Sequence, residues 1–250
     1  MKDTVALVLA AGKGTRMYSD LAKVLHPICG RPMLSYTLMA VEELEVDRVL
    51  VVVGHQAERI REVFADAQVE WVLQSQQLGT ANAVQCALPH LADHGGSVLI
   101  CCGDTPLLTA KTLRMFQDEH MNRGADLSVL SMLLDEPGSY GRVVRDSRGE
   151  VSAIIEAKDA TEQERTIKEV NTGIYCASAD LLRAVLPDVE NANVQGEYYL
   201  TDVVEMAAGR GWKVHAVAAS DPIEFMGVNT EEELTAAERV IEQRLTQTRN

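Results

Sequence analysis

The sequence predicts an α/β fold: a mostly parallel central sheet with helices on both faces and a small mixed β portion. Three observations carry that prediction. Aliphatic runs at residues 5–9, 49–53, 69–73 and 98–102 alternate with helix-period stretches at 33–44, 57–65 and 81–91, the pattern of βαβ units. The runs are apolar on both faces, as strands covered by helices should be. With 250 residues and 46% hydrophobic content, the chain can bury a large core in one domain, and nothing forces a second.

Taken in order, the first run reads as a buried strand, being far short of the about 20 apolar residues that span a bilayer. Leaving it is the stretch Leu9-Ala10-Ala11-Gly12-Lys13-Gly14-Thr15-Arg16-Met17. Gly12 and Gly14 carry no Cβ, so the backbone can turn sharply and aim successive N–H groups at an anion. Arg16 then offers a planar fork for two phosphate oxygens, and Lys23 a mobile point charge. The spacing fits neither the Walker A loop nor the dinucleotide fingerprint, since Gly12-Lys13-Gly14-Thr15 is too short for the first and lacks the third glycine of the second. The segment 74–80 and Gly103-Asp104 also follow strands directly. Three candidate sites therefore share the carboxyl rim, where open parallel sheets bind ligands.

From Ala125 onward the pattern is mixed, with strands at 127–134, 141–145 and 151–155 and a polar hairpin turn at 146–149. The charged stretch 156–168 reads as a solvated loop or short helix. After a body spanning residues 1–229, Thr230 and Glu233 stand in capping-box spacing, and Leu234, Ala237, Ile241 and Leu245 recur at helical intervals. Residues 230–250 are thus expected to form a helix packed on its own domain.

A net charge of −14 argues against nucleic acid or an anionic membrane as partner. Lys13, Arg16 and Lys23 must therefore dominate the field locally if the ligand is an anion. Five cysteines without paired spacing point to reduced thiols and a cytoplasmic, soluble protein. Cys101 and Cys102 are adjacent on one strand, so they face opposite sides of the sheet, and both are read as packing residues. The six histidines, at 26, 55, 90, 94, 120 and 215, show no metal-ligand spacing. Asp3 spoils a basic signal-peptide start.

The loop from Leu9 to Met17, followed by Lys23-Val24-Leu25, resembles the signature of the sugar-nucleotide pyrophosphorylase family, and within it the uridyltransferase domains acting on N-acetylglucosamine 1-phosphate. The resemblance runs along nearly the whole chain. It includes Leu73-Gln74-Ser75-Gln76-Gln77-Leu78-Gly79-Thr80, Gly103-Asp104-Thr105-Pro106-Leu107, Ser139-Tyr140-Gly141-Arg142, Glu156-Ala157-Lys158-Asp159-Ala160, Glu169-Val170-Asn171-Thr172-Gly173, Gln195-Gly196-Glu197-Tyr198-Tyr199-Leu200-Thr201-Asp202 and Gly227-Val228-Asn229. It implies a Rossmann-like nucleotidyltransferase fold. The implied activity transfers UMP from UTP to N-acetylglucosamine 1-phosphate, with Mg²⁺ as cofactor, for cell-wall precursors. The alternatives are another sugar-1-phosphate nucleotidyltransferase, using glucose 1-phosphate, dTTP or CTP, and a non-catalytic sugar-nucleotide-binding module. In the family a hexapeptide-repeat acetyltransferase domain follows such a terminal helix; here the sequence stops at Asn250, so neither that activity nor its trimer is expected, and the chain should be a monomer or dimer.

The resemblance also implies roles. Leu9, Ala10, Ala11, Gly12, Gly14 and Thr15 would hold the nucleotide, Arg16 the departing pyrophosphate, and Lys23 the oxygens that gain charge at the transition state. Asp104 and Asn229 would hold the magnesium, as hard oxygen donors, although Asp104 before Thr105-Pro106 also reads as a turn or capping aspartate. Gln74, Gly79 and Thr80 would choose the base, the glutamine amide presenting a donor and an acceptor. Gly141, Glu156 and Asn171 would line the sugar pocket. Three positions depart from the family pattern: Ala22 stands where proline usually precedes the lysine, Asn82 replaces a common histidine, and Cys102 a frequent tyrosine.

Overall fold

The alternation of aliphatic runs and helical stretches folds into a nine-stranded sheet with helices on both sides, seen in a computed structural model that describes residues 3–17 and 19–248. The strands are β1 (Thr4–Ala10), β2 (Pro27–Ile28), β3 (Arg31–Pro32), β4 (Arg48–Val53), β5 (Glu70–Leu73), β6 (Ser97–Cys102), β7 (Leu127–Leu133), β8 (Arg142–Arg145), β9 (Val151–Ile155), β10 (Glu169–Ser178) and β11 (Val214–Ala218). The helices are α1 (Met33–Glu42), α2 (Ala57–Val63), α3 (Thr80–Ala87), α4 (Ala110–Arg123), α5 (Glu162–Arg165), α6 (Ala179–Val185), α7 (Asp202–Gly209) and α8 (Glu231–Thr248). The main sheet runs β11-β7-β10-β6-β1-β4-β5, with β8 and β9 branching from β10, while β2 and β3 pair separately.

Alternate residues of each central strand feed opposite cores. Val5 and Leu7 join Leu50, Val52, Val98 and Ile100 on one face; Ala6, Val8 and Ala10 join Val51, Val53, Leu99 and Cys101 on the other. A third cluster seats α8 on the body, with Ala237 and Ile241 against Ile28, Met33, Leu107 and Val228. Its capping box is formed as expected: Thr230 N donates to Glu233 Oε2 at 3.0 Å and Glu233 N to Thr230 Oγ1 at 3.2 Å. Residues 249 and 250 lie outside the described part.

Two features of the topology set the site. The chain leaves β1 for β4 and β5 on one side, then returns to place β6 on the other, so the loop after β1 sits at a switch point. Strand β10 then runs antiparallel to β6, pairing Tyr175 with Ile100 and Ser178 with Ser97. That direction brings the start of β10, around Asn171 and Gly173, to the rim where β6 ends at Cys102. A register shift between Asn171 and Ile174, with Gly173 at φ +82°, bends the strand there. Among the described residues no helix is long and apolar enough to cross a membrane.

Candidate active site

A cleft of about 510 Å³ opens above β1 and β6 and is lined by Leu9, Ala11, Gly12, Gln74, Gly79, Thr80 and Asp104, together with Lys13, Gln77, Ala83, Cys102 and Glu197. Seven of the expected residues thus share one cavity. Among the described residues, the N–H groups of Gly12, Lys13 and Gly14 donate to no protein acceptor, and Gly12 has open space where a Cβ would stand. Nothing among the described residues requires a glycine there. Gly14 differs: at φ +67°, an added Cβ would lie 2.5 Å from Lys23 Cβ and 3.1 Å from Lys23 Cγ. Its bare backbone makes the passage for the lysine stem.

That stem delivers the Lys23 ammonium to two oxygens. It donates to Asp104 Oδ2 in a very short ion pair, and to Asn229 Oδ1 at 2.7 Å. Asp104 and Asn229, 125 positions apart, therefore converge on a single cation. The backbone explains the meeting. Val228 N donates to Asp104 O at 2.9 Å, and the α8 capping carboxylate Glu233 accepts from Asn229 N at 2.6 Å. A helix cap thereby positions a site residue.

The segment leading to Lys23 is held by Gln56, the residue just before α2. Ala22 N donates to Gln56 Oε1 at 3.2 Å, and Gln56 Nε2 donates to Asp20 O. Ala22 adopts φ −53°, ψ 134°, the angle a proline ring enforces, while keeping an N–H that proline lacks. Gln56 thus ties the segment down at both Asp20 and Ala22. Arg16 stands exposed on the turn after the loop and outside the cleft lining, with no ion pair among the described residues. The Thr15 side chain lies outside the described part, and Ala10 is buried at the end of β1 rather than in the lining.

On the opposite wall, Gly79 takes φ +124°, and an added Cβ would meet Tyr198 O at 2.4 Å and Tyr198 N at 2.7 Å. The segment carrying Tyr198 is strapped across this turn: Tyr198 N donates to Leu78 O at 2.8 Å, Ala81 N to Tyr198 O at 2.9 Å, and Leu200 N to Thr80 Oγ1 at 2.9 Å. Gly79 and Thr80 are thus required by the strap. Gln74 is buried, and its Nε2 donates to Gly79 O at 3.1 Å and to Asn82 Oδ1 at 2.9 Å. Both amide hydrogens have protein acceptors, so the glutamine faces the cleft as an acceptor and not as the two-way partner expected.

Gly141, Glu156 and Asn171 form a second group outside the cleft lining. Asn171 N donates to Gly141 O at 2.8 Å, and a Cβ on Gly141 would lie 3.5 Å from Glu156 Oε1. The Asn171 amide donates to the Tyr175 hydroxyl at 2.7 Å and accepts from Gly173 N at 2.9 Å, so it braces the bend in β10. Burial pushes the Glu156 carboxyl up, against a hydrogen bond from Thr201 Oγ1 at 3.3 Å. Cys102 joins the groups, its thiol donating to Gly173 O at 3.5 Å while it lines the cleft. This corrects its reading as a packing residue. Burial and the Asp104 carboxylate push that thiol up to about 12, so it is a neutral group and not a nucleophile.

Comparison with known proteins places the chain in a family. Residues 6–169 match the family described as MobA-like NTP transferase domain. The chain is 49% identical over 246 residues to the bifunctional protein GlmU of Trichlorobacter lovleyi, covering 98% of this chain and 54% of that protein. It is 48% identical over 240 residues to the bifunctional protein GlmU of Geobacillus thermodenitrificans, covering 96% and 52%. The chain therefore spans about half the length of the curated relatives it matches. Among solved structures, a nucleotidyl transferase from Methanothermobacter thermautotroptrophicus superposes with a TM-score of 0.65 at 23% identity, covering 96% of this chain and 98% of that one, which shows the shared fold.

Proposed function

Since the chain belongs to the MobA-like NTP transferase domain family, we propose that it transfers UMP from UTP to N-acetylglucosamine 1-phosphate in the cytoplasm, releasing pyrophosphate. The sugar-phosphate oxygen forms a bond to the α-phosphorus, the α–β phosphoanhydride bond breaks, and pyrophosphate leaves with the electron pair. No proton need move. A site for such a step must supply position and positive charge more than covalent chemistry.

The observation that carries this reading is the cluster of Lys23, Asp104 and Asn229 beside three unpaired loop amides. The amides of Gly12, Lys13 and Gly14 would cradle phosphate oxygens, as backbone nests do. Arg16, exposed with no protein partner among the described residues, is free to take the leaving pyrophosphate. Lys23 would follow the oxygens as their charge rises. The donor set of Asp104 and Asn229 fits Mg²⁺: one carboxylate and one amide oxygen, both hard, already close enough together to share one cation. Bound there, the metal would neutralise charge on the phosphates. The bend holding Gly141, Glu156 and Asn171 lies beside Cys102 at the same rim and would receive the sugar.

The test is pyrophosphate release over a matrix of UTP, dTTP and CTP against N-acetylglucosamine 1-phosphate and glucose 1-phosphate. The expected outcome is fastest release with UTP and N-acetylglucosamine 1-phosphate. No release with that pair would reject the assignment, and a faster partner elsewhere in the matrix would replace it.

A further inference from the structure

Asn82 belongs to a chain of three side-chain amides whose direction is set at both ends. On α3, Asn82 and Gln85 are three residues apart and share a face. Gln85 Nε2 donates to the Leu186 carbonyl at 2.7 Å, which leaves its Oε1 to accept from Asn82 Nδ2 at 3.4 Å. Asn82 Oδ1 in turn accepts from Gln74 Nε2 at 2.9 Å, and the other hydrogen of Gln74 goes to the Gly79 carbonyl at 3.1 Å. A backbone carbonyl only accepts, so Leu186 and Gly79 between them dictate how all three amides are turned. Reversing Gln74 would set its oxygen against two other oxygens, and reversing Asn82 would leave two N–H groups facing each other.

We propose that Asn82 and Gln85 are positioning residues that lock Gln74 with its oxygen toward the cleft, so that the base atom facing it must carry a hydrogen. This rests on the uridine-nucleotide reading above. For uracil that atom is the imide N3–H; cytosine has a bare N3, whose lone pair would face the Gln74 oxygen. An unpaired buried acceptor costs about 1–3 kcal/mol, which is about a fivefold to 150-fold preference. Specificity is thus set jointly by the Gly79 carbonyl and by two side chains behind the one that touches the base.

The test is calorimetric binding of UTP, CTP and 3-methyluridine triphosphate, with Mg²⁺, to the wild-type chain and to the variants Asn82→Leu and Asn82→Asp. Wild type should bind UTP at least about fivefold more tightly than CTP. The carboxylate introduced by Asn82→Asp can only accept, so it gives up the bond to Gln85 but needs no partner to turn an oxygen toward Gln74; the UTP-to-CTP ratio of that variant should match wild type even if its stability falls. Asn82→Leu removes one of the two acceptors that hold Gln74 and leaves only the Gly79 carbonyl, so the lock loosens and the ratio should fall at least threefold, a change that a general loss of stability would not cause. Equal UTP and CTP affinities in wild type, or a ratio unchanged by Asn82→Leu, would overturn the lock while leaving nucleotide binding intact. Should the Asn82→Leu protein fail to fold, 3-methyluridine triphosphate decides on wild type alone: methylation removes the N3 hydrogen and should weaken binding at least fivefold, and undiminished affinity refutes the proposal. Binding of no nucleoside triphosphate at all would instead reject the functional reading, and the lock with it.

Discussion

Gly79→Ala should cost stability through two additive effects. The residue sits at φ 124°, ψ 176°, a region essentially reserved for glycine, and placing alanine there costs about 1–3 kcal/mol. The new Cβ would also stand 2.4 Å from Tyr198 O, 2.7 Å from its N and 3.0 Å from its C, all backbone atoms that cannot swing aside as a side chain would. Relief requires the strap to lift, which breaks the bonds of Tyr198 N to Leu78 O and of Ala81 N to Tyr198 O. Each is worth about 0.5–1.5 kcal/mol. The sum is about 4 kcal/mol, and for a chain of this size each kcal/mol moves the melting temperature by about 2–4 °C. Thermal unfolding followed by circular dichroism should therefore show a drop of roughly 8–16 °C. A variant melting within about 2 °C of wild type would refute the reasoning and return Gly79 to a role in ligand approach alone.

Gly12→Ala is the counterpart: with open space at its Cβ and no positive φ, it should melt within about 2 °C of wild type, yet bind UTP about tenfold more weakly by calorimetry as the methyl enters the phosphate space. Lys23→Ala should lower kcat by about 100-fold or more, while the KM for UTP changes little, because its charge serves the developing oxygens. A pure KM effect in steady-state pyrophosphate release would move Lys23 to ground-state binding. Burial, with repulsion from Glu205 and Asp159, pushes Asp202 up to about 6 from its ordinary 3.8. Between those values the folded state binds the proton more strongly than the unfolded chain does, so this group's contribution to stability falls as pH rises through the window and is unfavourable above it. Asp202→Asn should consequently gain more over wild type at pH 7.5 than at pH 5 in urea unfolding; an equal gain at both pH values would refute the shift.

Much of the architecture was legible because strands buried on both faces leave uninterrupted aliphatic runs, as at β1, β4 and β6. The capping box of α8 was legible because its chemistry is local, two residues three apart. Helix α4 escaped the reading for a physical reason: its buried stripe of Leu113, Phe116, Gln117 and His120 places two polar residues where the pattern needs apolar ones. The direction of β10 was equally hidden, because an apolar strand looks the same whether it pairs parallel or antiparallel.

By itself, then, the order of residues determined the class of fold, the phosphate-suited loop after the first strand and the kinds of atom available to a ligand, all of them properties of short stretches of chain. Tertiary structure alone decided which of those atoms meet. It joined Lys23 to Asp104 and Asn229, assigned Gly79 to the strap, and turned Gln74 so that only its oxygen faces the cleft. The Lys23 and Gly79 contacts lie between residues 81 to 206 positions apart, where no local rule of spacing applies, and they exist only because the sheet's strand order brings distant loops to one rim. The Gln74 bonds span only five and eight positions but depend on the turn that the Tyr198 segment straps.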